Sequence, residues 1–187
     1  MSEKPDQEPR TRHPGDLTPE AEVARMIRVD HAGEFGARRI YEGQLAVLGH
    51  DAGGGSIRRM YDQELEHLDR FEELMVARRV RPTALQPLWH VAGFALGAAT
   101  AMMGERAAMA CTVAIEEVID EHYGDQAERL GPEEADLKGT IETFQADERE
   151  HRDTALDHGA EQTPGYEVLR GAIKSGSRLA IWLSERI

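Results

Sequence analysis

Apolar residues recur at three- and four-residue intervals along most of the chain, the spacing of helices with one buried face. The clearest stretch carries Met60, Glu64, His67, Phe71 and Leu74 on one face. A helix is predicted from the N-cap signal Leu17-Thr18-Pro19-Glu20 to about Leu48. Asp51-Ala-Gly-Gly-Gly-Ser56 reads as a flexible connection, and a second helix follows over Ser56 to Arg79. Pro82 and Pro87 punctuate the chain before Leu88 to Met103, a third helix or broken helical segment. A further helix is predicted over Glu105 to about Leu130, stopped by Gly131-Pro132. The next opens at Pro132 and runs to about Asp157, and a last one starts at Pro164. No run alternates in the manner of a strand, so the expected class is all-α. Gly33, Gly36 and Gly43 interrupt the first helix at about 1 kcal/mol each against Ala, a cost that makes sense where another helix packs closely.

Two positions on the face from Met60 to Leu74 are polar, and they form a Glu-x-x-His pair, Glu64/His67. The chain holds a second such pair, Glu148/His151. Residues three apart are neighbours on a helix, so each pair offers a carboxylate and an imidazole from one face. A lone acidic residue precedes each pair: Glu34 stands 30 residues before Glu64, and Glu116 stands 32 before Glu148. One such pair on a charged helix is usually a solvated surface feature. Two pairs with two matching single carboxylates point instead to a two-metal site in a ferritin-like bundle, a four-helix core with additional helices.

The spacing leaves Glu116 and Glu117 both open, because the offset between the halves is 84 for the pairs, 82 for Glu116 and 83 for Glu117. Thr112, Ile115, Glu116 and Ile119 share a face, which favours Glu116. Asp120, Asp147 and Asp62 are candidates to orient a ligand imidazole. Four carboxylates and two imidazoles suit iron or manganese better than copper or structural zinc. The His-Glu-x-x-His zinc motif is absent.

With 187 residues the chain has room for one domain. Residues 1–16 are polar and Pro-containing and read as a disordered arm before a domain over 17–187. The arm lacks the apolar core of a secretory signal and carries too much acid for a transit peptide. A net charge of −13 argues against nucleic-acid binding through a basic surface. The single cysteine, Cys111, lies in an apolar run and reads as a buried thiol. His31 is either a helper of the metal site or a packed side chain, and from the residues alone His122 and Tyr123 read as a surface imidazole and a packed ring. His13, His50, His90 and His158 are assigned no role. Leu88 to Met103 contains no Asp, Glu, Lys or Arg, yet it is short for a membrane span. With Trp89, and with Leu179 to Leu183 and Trp182, it is the candidate for contact with a membrane surface.

Around these residues the chain resembles the demethoxyubiquinone hydroxylase family of ubiquinone biosynthesis. The likeness spans about Met26 to Ile187. It rests on Ile27-Arg-Val-Asp-His-Ala-Gly-Glu-Phe-Gly-Ala37, Ile40-Tyr-Glu-Gly-Gln44, Arg79-Val-Arg-Pro-Thr83, Pro87-Leu-Trp89, Gly93-Phe-Ala-Leu-Gly97, Met109-Ala-Cys-Thr-Val113 and Leu183-Ser-Glu-Arg186. The resemblance implies a di-iron monooxygenase that hydroxylates a demethoxyubiquinol ring. Carried over by position, it implies that Glu34, Glu64, His67, Glu116, Glu148 and His151 are both the metal ligands and, through the metals, the catalytic residues. The choice of Glu116 over Glu117 rests on this likeness. It further implies two iron ions cycling between Fe2+ and Fe3+, O2 as co-substrate, and a reductant that is either the quinol or a nicotinamide donor. The implied partners are a polyprenyl quinol and a membrane surface, with no nucleic acid. A homo-oligomer or contact with other ubiquinone-biosynthesis proteins is compatible with it. The expected location is the cytoplasmic side of a cell inner membrane, as a peripheral protein. The rival readings are a ferritin-like protein that handles iron or reduces peroxide, and a membrane-surface module whose acidic residues are only solvated faces.

Overall fold

A computed structural model describes residues 17–49 and 52–187. The expected arm over 1–16, with His13, and also His50, lie outside the described residues. Six helices follow in order: α1 (Pro19–Leu48), α2 (Ser56–Arg78), α3 (Gln86–Met102), α4 (Glu105–Arg129), α5 (Ala135–Asp157) and α6 (Tyr166–Ser184). No strand occurs among the described residues. The all-α expectation holds.

The helix ends follow local chemistry. Thr18 caps α1, its side chain accepting from the Ala21 N–H, with Pro19 in the first turn. α2 stops one residue earlier than predicted because Arg79 takes a left-handed conformation, with φ of 54°. α3 is one unbroken helix of 17 residues, so its glycines do not break it. α5 begins at Ala135, not Pro132, since residues 132–134 form a tighter 3-10 turn. α6 begins at Tyr166, after Gly165 at φ of 74°, and Pro164 only precedes it.

α1 and α2 form one hairpin and α4 and α5 another, and the two hairpins make the four-helix core. α3 lies along α1, and α6 lies along α4. The molecule is therefore two copies of a three-helix unit, which extends the repeat seen in the ligands. The copies differ in how tightly the third helix packs. A Cβ on Gly97 would overlap the Ile40 carbonyl, and one on Gly43 would overlap the Phe94 carbonyl. α3 thus packs backbone to backbone on α1, as the cost of Gly43, though not of Gly33 or Gly36, suggested. Gly33 and Gly36 have open space beside them instead.

Two apolar clusters fill the core. One joins Ile27, Phe71, Ile119 and Leu137 toward one end of the bundle. The other joins Leu45, Ile57, Met109 and Ala155 toward the opposite end. The residues between these clusters on α1, α2, α4 and α5 are the six acidic and imidazole side chains singled out above.

Candidate metal centre

Glu34 from α1, Glu64 and His67 from α2, Glu116 from α4, and Glu148 and His151 from α5 are all at most 2% exposed. They form two overlapping donor groups. Glu34, Glu64, His67 and Glu148 bring ligand atoms within 4.8 Å of one another, as do Glu64, Glu116, Glu148 and His151. Glu64 and Glu148 belong to both groups. Each is the carboxylate of a Glu-x-x-His pair, so each hairpin contributes one shared ligand.

Both imidazoles turn Nδ1 inward. His67 Nδ1 lies 3.1 Å from Glu148 Oε1 and 3.6 Å from Glu34 Oε2. His151 Nδ1 lies 3.2 Å from Glu64 Oε1 and 3.2 Å from Glu148 Oε2. The two oxygens of Glu148 thus face one imidazole each. The outward nitrogens are held from the opposite hairpin: His67 Nε2 by Asp147 at 3.1 Å, and His151 Nε2 by Gln63 at 3.1 Å. Tyrosines hold the single carboxylates in the same crossed fashion. Tyr41 of α1 donates to Glu116 at 2.7 Å, and Tyr123 of α4 donates to Glu34.

Of the three aspartates proposed to orient an imidazole, only Asp147 does so. Asp120 accepts from Gln145 and Arg149, and Asp62 accepts from Arg58. Sequence reasoning missed Gln63 and Tyr41. The repeat register could have found them: Gln63 and Asp147 each precede a shared glutamate, and each tyrosine follows its single glutamate by seven residues. Glu117 points elsewhere. It accepts from Arg170 and Lys174 of α6, and those hydrogen bonds outweigh burial and lower its pKa. His31 stands apart from the cluster, with Nε2 3.9 Å from Glu72. His122 Nε2 is 3.3 Å from the buried Asp30 carboxylate.

The donor set fits metal cations. Glu34 Oε2, both oxygens of Glu64, His67 Nδ1, Glu116 Oε2 and Glu148 Oε1 are buried without a hydrogen-bond partner. Leaving one such group unsatisfied costs about 1–3 kcal/mol, and more for a charged one, so a cluster of six calls for a cation at its centre. Proton affinities agree. Burial, reinforced by Glu148, pushes the Glu64 and Glu116 carboxyls well above the usual carboxylate range. Burial also opposes charge on the imidazoles, but the Glu148 carboxylate facing both overcomes it. It raises His151, and with Glu34 it holds His67 up at about 12. Burial would raise Glu148 as well, yet His151 and His67 pull it down to about 2. A cation bound here competes with protons for the same atoms, so metal binding is expected to release protons. Apparent affinity should rise with pH and weaken toward acid. Calorimetry in buffers of differing ionisation enthalpy measures the release; fewer than one proton would contradict the assignment.

A cavity of about 570 Å³ lies beside this cluster, among α1, α3, α4 and α6. Gly33, Gly36, Trp89, Gly93, Ala172 and Gly176 contribute to its mostly apolar wall. Ala37, Ile40 and Ile115 line the cavity and also a narrow gap that continues to Tyr41, Thr112 and Glu116. The cavity thus lies against α1 around Glu34 and against α4 around Glu116. It exists because α6 stands off from α1 while α3 packs tightly against it.

Residues 21–184 match the family model described as ubiquinone biosynthesis protein COQ7. The chain is 60% identical over 177 residues to 3-demethoxyubiquinol 3-hydroxylase of Rhodospirillum rubrum, covering 94% of this chain and 84% of that protein. It is 55% identical over 171 residues to the human NADPH-dependent 3-demethoxyubiquinone 3-hydroxylase, mitochondrial, covering 89% and 79%. It is 41% identical over 203 residues to the 5-demethoxyubiquinone hydroxylase, mitochondrial, of Saccharomyces cerevisiae, covering 100% and 87%. With a family match over nearly the whole bundle and relatives this similar along most of their length, the chain belongs to the ubiquinone biosynthesis protein COQ7 family.

Proposed function

We propose that this chain hydroxylates the ring of a demethoxyubiquinol with O2, at two iron ions held by Glu34, Glu64, His67, Glu116, Glu148 and His151. The observation that carries the reading is an apolar cavity ending beside a buried four-carboxylate, two-imidazole cluster. Two irons supply two-electron O2 chemistry when bound. One oxygen atom replaces a ring hydrogen as hydroxyl. The other leaves as water, with two electrons and two protons from a reductant. A nicotinamide donor is the proposed source, in line with the name of the human relative. The residues of the chain hold the cations, orient the imidazoles and exclude water between two apolar clusters. A ferritin-like iron-handling protein has no use for the cavity, whereas an isoprenoid quinol has. The test is incubation of the iron-loaded chain with a demethoxyquinol, NADPH and isotopically labelled O2. Label in the new ring hydroxyl is expected, and label arriving only from water would sink the monooxygenase reading.

The substrate class also sets the proposed location. A long isoprenoid tail drawn wholly into water would expose apolar area at about 25 cal/mol per Å², so the enzyme works docked on the bilayer. Support comes from the outer faces of the helices that wall the cavity. Leu88, Val91 and Met102 on α3, and Leu179 and Trp182 on α6, are all more than half exposed. Leu96, within the expected docking segment, faces the cavity and core instead. No helix among the described residues is long and apolar enough to cross a membrane. Peripheral docking at the cytoplasmic face of an inner membrane is the proposed arrangement. Wild type should float with liposomes, and a Leu88→Glu, Val91→Glu, Leu179→Glu, Trp182→Glu variant should stay in the dense fraction with its metal intact. Equal flotation of both would rule out this surface.

A further inference from the structure

The ligands repeat between the two hairpins, but the residues behind the two imidazoles do not. Asp147 and Gln63 occupy the same register position, one residue before each shared glutamate. Asp147 Oδ2 accepts from His67 Nε2 at 3.1 Å, and Gln63 Oε1 accepts from His151 Nε2 at the same distance. One partner is a carboxylate and the other a neutral amide. No Lys or Arg pairs with Asp147 among the described residues, so its charge is directed to His67. Phe144 stacks on the His67 ring with centroids 3.9 Å apart and fixes its plane. A hydrogen bond to an ionised acceptor is roughly twice as strong as one between neutral groups. An imidazole so bonded is the stronger donor to a metal.

We infer that the two metal positions are inequivalent: the position at Glu34 and His67, backed by Asp147, binds a divalent cation more tightly and fills first. Asp147 is the positioning residue that sets the order. The inference rests on the reading that the cluster holds two cations.

The test is anaerobic titration of the metal-free chain with Co(II), followed by visible absorption and calorimetry. Wild type should take up two ions in two resolved steps, with affinities differing by about 10-fold or more. His67→Ala should remove the tight step, and His151→Ala the weak one. Asp147→Asn should weaken the tight step by about 10–100-fold, so that the steps merge, while Gln63→Glu should strengthen the weak step. Circular dichroism should show unchanged helix content in each variant. Two equal steps in wild type, or an Asp147→Asn titration identical to wild type, would overturn the inference. Failure of folded wild type to bind Co(II) would overturn the two-metal reading itself, and the inference with it.

Discussion

On the proposed two-iron reading, Glu148→Gln is expected to abolish hydroxylation and to lower bound iron from about two ions per chain to less than one. Glu148 is the carboxylate on which both halves of the centre converge. It belongs to both donor groups, and its two oxygens face His67 and His151 separately. Glutamine keeps the shape but removes the charge and one acceptor oxygen, so both donor groups lose the anion they share. The metal-free chain should suffer too, because two buried imidazoles lose their shared counter-charge. Removing one partner of a buried pair costs up to about 3–5 kcal/mol. Glu117→Gln is the control. Glu117 pairs with Arg170 and Lys174 at the edge of α6, so its loss should leave iron content unchanged. Iron analysis and thermal melting of the two variants measure this. Full iron in Glu148→Gln, or its loss in Glu117→Gln, would reverse the assignment.

Gly176→Leu and Gly33→Leu should lower kcat/KM for a long-tailed demethoxyquinol by about 10–100-fold while leaving iron content unchanged. Both glycines line the cavity, and an added Cβ at either meets no atom within 4 Å. The new side chain therefore enters the space proposed for the quinol. Stability should not fall, because leucine replaces glycine inside a helix, a change favourable by close to 1 kcal/mol on propensity. An inactive variant that melts at or above the wild-type temperature separates blocked access from misfolding. Unimpaired turnover of the long-tailed substrate in both variants would remove the cavity from the reaction.

The limits of the sequence show at particular residues. Glu34, Glu64, His67, Glu148 and His151 were readable as candidates because helical spacing carries a three-residue pair directly into space, and because duplication wrote the pattern twice. Glu116 and Glu117 could not be separated by spacing, since their offsets of 82 and 83 both miss the 84 of the pairs. What separates them is rotation about α4. One residue along a helix turns the side chain by about 100°, which carries Glu117 from the core to the ion pairs of α6. Asp120, Asp62 and Asp147 were equivalent as sequence candidates. The choice among them depended on which faced an imidazole across the bundle.

By itself, the chain determined its class, its helices to within a few residues and the candidate positions Glu34, Glu64, His67, Glu148 and His151, because these follow from local periodicity and caps. It also carried the family likeness, which the comparisons bear out. The tertiary structure alone decided everything that depends on contact between the halves. It crossed Tyr41 to Glu116 and Tyr123 to Glu34, and it set a carboxylate behind one imidazole and an amide behind the other. It also left a cavity beside α6 while packing α3 tightly on α1. Those outcomes turn on the angle and distance at which helices remote in sequence meet. Side-chain packing sets them, and a periodicity read along one helix does not contain them.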